Sequence, residues 1–205
     1  MNNHHQTLRV DITGLPLEWV DYKEAVKLYA VNQVVYTLGN DLYTIYGGIN
    51  AASGKQSSIT VNSIIATNGR TKHFQNKMSQ YTPPLNNQTL FKRDSYLCMY
   101  CGDRYNKREL TRDHITPISQ GGNDDWNNVV SACKRCNHYK GGRTPEQAKI
   151  KLLAIPFVPN YAEYIYLQGR NILADQMDFL LGYISKSSPI HHRIDLEKDN
   201  KDCLI

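Results

Sequence analysis

Four of the five cysteines in this 205-residue chain fall as two C-x-x-C pairs, Cys98-Met-Tyr-Cys101 and Cys133-Lys-Arg-Cys136. Each pair forms a knuckle that presents two thiolates to one ion, and four thiolates are a standard closed site for structural zinc. The 31 residues between the pairs, Gly102 to Ala132, exceed the usual 15–20 of a plain zinc ribbon. A folded insert must therefore lie between the knuckles.

Acid–base and oxygen-ligand chemistry gathers in that insert: Arg112-Asp113-His114-Ile, Pro117, Gly121-Gly122, Asp124 and Asn127-Asn128-Val129. Asn137, His138 and Lys140 follow directly after the second knuckle. A hard divalent ion takes oxygen ligands of the kind that Asp113 and an Asn amide offer. A neutral imidazole takes a proton from water near pH 7. Phosphodiester hydrolysis needs both functions. Each residue also has a plain structural role open to it; Asn128, for example, could close a turn.

The net charge of +5 is unevenly placed. Residues 1–90 carry +2, residues 91–151 carry +5 and residues 152–205 carry −2, so the excess sits around the cysteines, where its field favours a polyanion. Apolar residues make up 40% and charged residues 21%, which excludes collagenous, disordered and disulfide-scaffold classes. No apolar run approaches a membrane span, and the first residues, including His4 and His5, show neither a basic nor an apolar leader. A cytoplasmic location without membrane contact is expected.

Five segments must position this chemistry. Residues 1–66 read as a small α+β unit, with strands at Leu8–Ile12, Val34–Leu38 (stopped by Gly39-Asn40), Ser58–Val61 and Ser63–Ala66. A helix capped by Asp21 and Glu24 runs to about Asn32 and buries Ala25, Leu28 and Tyr29. Residues 67–90 read as a linker or arm, in which Arg70, Lys72, His73 and Lys77 could follow a phosphate backbone. Residues 91–150 hold the cysteine-framed module. Residues 151–184 form a C-terminal helical segment, and residues 185–205, with His191, His192 and Cys203, a flexible tail. Thr144-Pro145-Glu146-Gln147 starts a helix expected to face Ala148, Leu152 and Leu153 to the core until Pro156, and another spans about Tyr161 to Tyr183.

Taken together, Cys98-x-x-Cys101, Asp113-His114-Ile, Pro117, Gly121-Gly122, Asp124, Asn128-Val129, Cys133-x-x-Cys136-Asn137 and Lys140 resemble an HNH endonuclease of the ββα-metal type stapled by a four-cysteine zinc site. The preceding strand, Pro-Leu turn and Ala-containing helix, and the following Arg143-Thr-Pro-Glu-Gln-Ala run, are similar to a bacterial group of such proteins. The resemblance implies an α+β fold in which a ββα module follows a small α+β unit and precedes C-terminal helices. It implies a DNA endonuclease, nicking or cutting both strands, with structural Zn²⁺ and catalytic Mg²⁺ or Mn²⁺. His114 is then the general base. Asp113 and Asn137 are the ligands of the divalent ion, with His138 as second choice. Asn128 orients the His114 ring, and Arg112, Lys140 and Arg143 are DNA contacts. The competing readings are a non-catalytic zinc module that binds nucleic acid, and a nuclease subunit that needs a protein partner or a second copy.

Overall fold

The structure is a computed structural model and describes residues 5–68 and 82–191. His4, Arg70, Lys72, His73, Lys77, His192 and Cys203 lie outside the described residues. The chain divides into two compact units. One holds residues 1–81 with 168–185, and the other holds residues 82–167 with 186–205.

The first unit is a mixed four-stranded sheet of β1 (Thr7–Asp11), β2 (Pro16–Val20), β3 (Val34–Ile49) and β4 (Gln56–Thr67), in the order β2-β1-β4-β3. β1 runs parallel to β4 and antiparallel to β2. Helix α1 (Tyr22–Ala30) is capped by the Asp21 carboxylate, which accepts from the Glu24 N–H, and it buries Ala25 and Leu28 against Val20, Val61 and Ile65. β3 does not stop at Gly39-Asn40. Gly39, at φ +72°, lets the strand bulge and continue beside β4. A Cβ there would fall 2.0 Å from Ser63 Oγ.

The helix expected over 161–183 is two helices, α5 (Tyr161–Gln168) and α6 (Ala174–Leu181). Asn171, at φ +51°, lies in the break between them. α6 is tied to the first unit's sheet, with Gln176 Nε2 donating to the carbonyls of Gln6 and Ser63, each at 2.8 Å.

The second unit carries the module. Helix α2 (Asn87–Arg93), capped by Asn86, begins inside the segment read as a linker. Strands β5 (Leu110–His114) and β6 (Val129–Cys133) pair antiparallel from Leu110–Cys133 to His114–Val129. Helix α3 (Lys134–Lys140) follows at once, completing the ββα order. α4 (Pro145–Ala148) has the expected Thr144–Gln147 capping box but ends at Lys149, which takes φ +56°. Leu153 is accordingly exposed, where a longer helix would have buried it. Ser188 and Ile190 are buried, so packing persists past Ser185, where the tail was expected to begin.

One core cluster joins Leu90 and Phe91 of α2 to Leu110, Trp126, Val129 and Tyr164, and a second surrounds Cys98, Tyr100, Val130 and Ala132. Arg93, fully buried, fixes α2 to this core by donating to the carbonyls of Trp126 (2.8 Å), Val129 (2.7 Å) and Phe157 (3.2 Å). Its neighbour Asp94 accepts from the Ser131 N–H at 2.7 Å. The start of β6 is thereby held from both sides. None of the described helices is long and apolar enough to cross a membrane.

Candidate active site and metal centre

Antiparallel pairing sets Leu110 opposite Cys133, which brings the second knuckle to the beginning of β5. The first knuckle turns at Gly102, whose N–H donates to the Cys98 carbonyl at 2.9 Å. The second sits on the first turn of α3, where Cys133 is the N-cap and its sulfur accepts from the Cys136 N–H at 3.4 Å. The ligand atoms of Cys98, Cys101, Cys133 and Cys136 all lie within 4.8 Å of one another. A zinc–sulfur distance of about 2.3 Å requires sulfurs roughly 3.8 Å apart in a tetrahedron, so the four residues fit the ion.

The donor chemistry agrees. Burial and the neighbouring thiols push Cys136 well above the ordinary thiol range. Burial works the same way on Cys133, yet donation from the Cys136 N–H, Tyr105 and the adjacent cysteines brings it down to about 7. Four sulfurs gathered this closely can all be anions only around a cation.

At the other end of β5, strand alternation separates the sequence neighbours Asp113 and His114. Asp113 points inward and is 5% exposed. One of its oxygens accepts from the Tyr100 hydroxyl at 2.5 Å and the other from Lys140 Nζ at 3.1 Å. Burial first, then the adjacent carboxylate, raises the Tyr100 phenol far above its usual range, so it stays protonated and donating. His114 points the opposite way, to a surface shared with Arg112 and Asp124. His114 Nε2 lies 2.9 Å from Asp124 Oδ1, and Arg112 Nη1 donates to both Asp124 oxygens at 2.9 and 2.7 Å. Arg112 Nε donates to Asn87 at 2.9 Å. Donation from Arg112 and then from His114 holds the Asp124 carboxyl below the usual carboxylate range, so it is an anion at neutral pH.

Three expected roles are corrected by these contacts. Asn128 does not touch the His114 ring. Its amide brackets the backbone of Thr116, accepting from the N–H and donating to the carbonyl at 2.9 Å each, and donates to the Asn123 carbonyl at 2.7 Å. It positions the loop that follows His114. Gly122 belongs to the same closure, because a Cβ there would stand 1.8 Å from the Thr116 carbonyl oxygen.

Lys140 is not a phosphate contact. It is 1% exposed and gives its ammonium protons to Asp113 and, at 2.7 Å, to the His114 carbonyl. Asp113 and Asn137 do not form an open oxygen-ligand pair either, because both Asp113 oxygens are engaged. Asn137 Nδ2 donates to Thr111 Oγ1 at 2.8 Å. Arg143 is exposed but closes the end of α3, donating from Nε to the Lys140 carbonyl at 3.2 Å and from Nη2 to that of Tyr139. His138 is exposed. Among the described residues, the four cysteines are the one group of three or more Cys, His, Asp or Glu arranged to hold a metal.

Asp124, a motif position without a role in the sequence analysis, is the partner that the structure gives to His114 and Arg112. The available signal is its place ten residues after His114, beyond a glycine turn that folds the chain back.

The buried Asp113–Lys140 pair carries its own prediction. Lys140→Met leaves a buried carboxylate with only the Tyr100 hydroxyl, and the cost is about 3–5 kcal/mol of stability by denaturant unfolding of the zinc-loaded chain. Adding Asp113→Asn should recover part of that loss. A single variant as stable as the parent would show that the pair does not hold the module together.

No curated protein matches the chain. Residues 98–153 match the family model for HNH endonucleases. The match spans both knuckles, β5, β6, α3 and α4, which are the elements that carry the cysteine cluster and the His114 surface. The segment from Cys98 to Leu153 is thus similar to HNH endonucleases, and the four-cysteine cluster lies within it.

Proposed function

We propose that this module hydrolyses phosphodiester bonds of DNA, nicking or cutting both strands, with His114 as general base and Mg²⁺ or Mn²⁺ as the divalent cofactor that the family implies. The observation that supports the base is the His114–Asp124 pair. A carboxylate anion only accepts, so Nε2 carries the ring proton and donates it to Asp124. Nδ1 is then the unprotonated nitrogen, and no described residue hydrogen-bonds to it. That nitrogen can take a proton from an attacking water, while Asp124 steadies the imidazolium that forms. Arg112, two residues back on the same strand face, fixes Asp124 and keeps Nη2 for a phosphate oxygen.

The Asp113–Asn137 pair expected to hold the divalent ion does not fit that task, since Asp113 is enclosed by Tyr100 and Lys140. Every step above is therefore assigned to the chain's own groups.

The test is supercoiled plasmid incubated with zinc-loaded protein freed of other divalent ions. Relaxed or linear product is expected when Mg²⁺ or Mn²⁺ is added, and Asp124→Asn is expected to lower the rate on the order of 10–100-fold, because an amide no longer fixes the tautomer. Tight DNA binding with no cleavage under any metal would favour the non-catalytic zinc module instead.

A further inference from the structure

We infer that the phosphate backbone of duplex DNA is carried by a basic face around the zinc knuckles, formed by Arg104, Lys107, Arg108, Lys134 and Arg135. The inference rests on the nuclease reading for its choice of polyanion and on the structure for its location. Of the three cations expected to meet DNA, Lys140 is buried, Arg143 closes a helix end and Arg112, tied to Asp124 and Asn87, has only Nη2 left for a phosphate. Most of the contact with a duplex must come from other cations of the module.

Seven other cations of residues 91–151 are exposed, and among the described residues none of them is held in an ion pair or a side-chain hydrogen bond; five of these, Arg104, Lys107, Arg108, Lys134 and Arg135, flank the knuckles. The fold brings them together. Leu97 and Arg104 form an antiparallel bridge, and the Tyr105 N–H donates to the Tyr96 carbonyl at 2.9 Å, so the loop 104–108 leaves the first knuckle. The Lys134 N–H donates to the Glu109 carbonyl at 3.3 Å, which sets the second knuckle beside the end of that loop. Two carboxylates lie in the same stretch, Asp103 and Glu109, and Glu109 is turned into the loop to accept from the Asn106 N–H at 3.2 Å.

An open cleft of about 510 Å³ runs along this face, with Tyr96 and Tyr105 among its walls beside Arg104 and Lys107. Five cations outweigh the two carboxylates and the net −2 of a four-thiolate zinc site, and with aromatic rings among them they match the chemistry of a nucleic-acid backbone. The face flanks the start of β5, whereas His114 ends it. Four residue steps separate the two, about 13 Å along the strand. A duplex held here would present His114 with a phosphate roughly four base-pair rises from the contacted ones.

The test measures binding of a 20-base-pair duplex by fluorescence anisotropy across a salt series. It uses the zinc-loaded full chain carrying His114→Ala, so that the probe stays whole. Arg104→Ala, Lys107→Ala, Arg108→Ala, Lys134→Ala and Arg135→Ala together should weaken binding at least tenfold at 100 mM salt and reduce the log–log salt slope by about 3–4. Lys23→Ala with Lys27→Ala, a charge control in the first unit, should change neither. Zinc content per chain verifies folding. Should changes at Lys134 and Arg135 lower it, Lys107→Ala with Arg108→Ala decides alone, with a slope reduction of about 1–2.

An unchanged affinity and slope would overturn the surface, as would a parent chain that does not bind the duplex. If the chain with His114 intact cleaves plasmid while these variants bind like their parent, the surface falls and the nuclease reading stands. If binding depends on the five cations but no metal elicits cleavage, the surface stands and the nuclease reading falls.

Discussion

Stripping zinc from the chain should unfold residues 98–153 instead of leaving a folded, inactive module. The knuckles sit at both ends of the segment that positions His114: one precedes β5, and the other ends β6 and opens α3. Cys98 and Cys133 are buried in the core cluster with Tyr100, Val130 and Ala132. Without the ion, four sulfurs that the fold forces together become buried thiols and repelling thiolates. Apparent binding energies of about 10–16 kcal/mol for structural zinc exceed the whole stability of a typical small domain. Chelation, or Cys98→Ser or Cys133→Ser, should therefore abolish the module's protease resistance and the near-ultraviolet signal of the buried Trp126. Retention of both after zinc removal would show that the core folds without the staple.

The second large effect is chemical. His114→Ala removes the proposed base while leaving the Arg93–Asp94 anchor, the Asn128 loop clamp and the Asp113–Lys140 pair in place. Loss of a positioned general base costs about 10²–10⁴-fold in rate. His114 is partly exposed and its ring bonds only Asp124, so thermal stability should change little and zinc content not at all. That separation of activity from stability distinguishes a chemical role from a structural one.

How much of this could be read from the residues depended on the range of the interactions involved. The four-cysteine cluster was legible because C-x-x-C is a local geometry: two thiolates three residues apart can share one ion whatever surrounds them. The Asp21 N-cap and the Thr144 capping box were legible for the same reason. What failed was reasoning that assigned roles by adjacency. Asp113 and His114 are neighbours in sequence, yet the period-2 strand sends one to the interior and the other to the surface. Lys140, expected among the DNA contacts, looks inward at Asp113.

Asn128 stands at a position associated with the histidine, and it acts on the backbone two residues beyond it. Element lengths failed where the chain enters the left-handed region, at Lys149, which caps one helix, and at Asn171, which lies in the break between two helices that apolar periodicity alone would join. The Arg93–Asp94 anchor left no local signature, because its partners lie 33 to 64 residues away at Trp126, Val129, Ser131 and Phe157.

The central claim is that His114, set by Asp124 at the end of β5, is the base of a nuclease. Its most direct test is the rate of supercoiled plasmid cleavage by the full chain and by His114→Ala, at equal zinc content and with the same Mg²⁺ or Mn²⁺. The account predicts cleavage by the parent chain and a loss of at least about 10²-fold in the variant. Equal cleavage by the two proteins would contradict it.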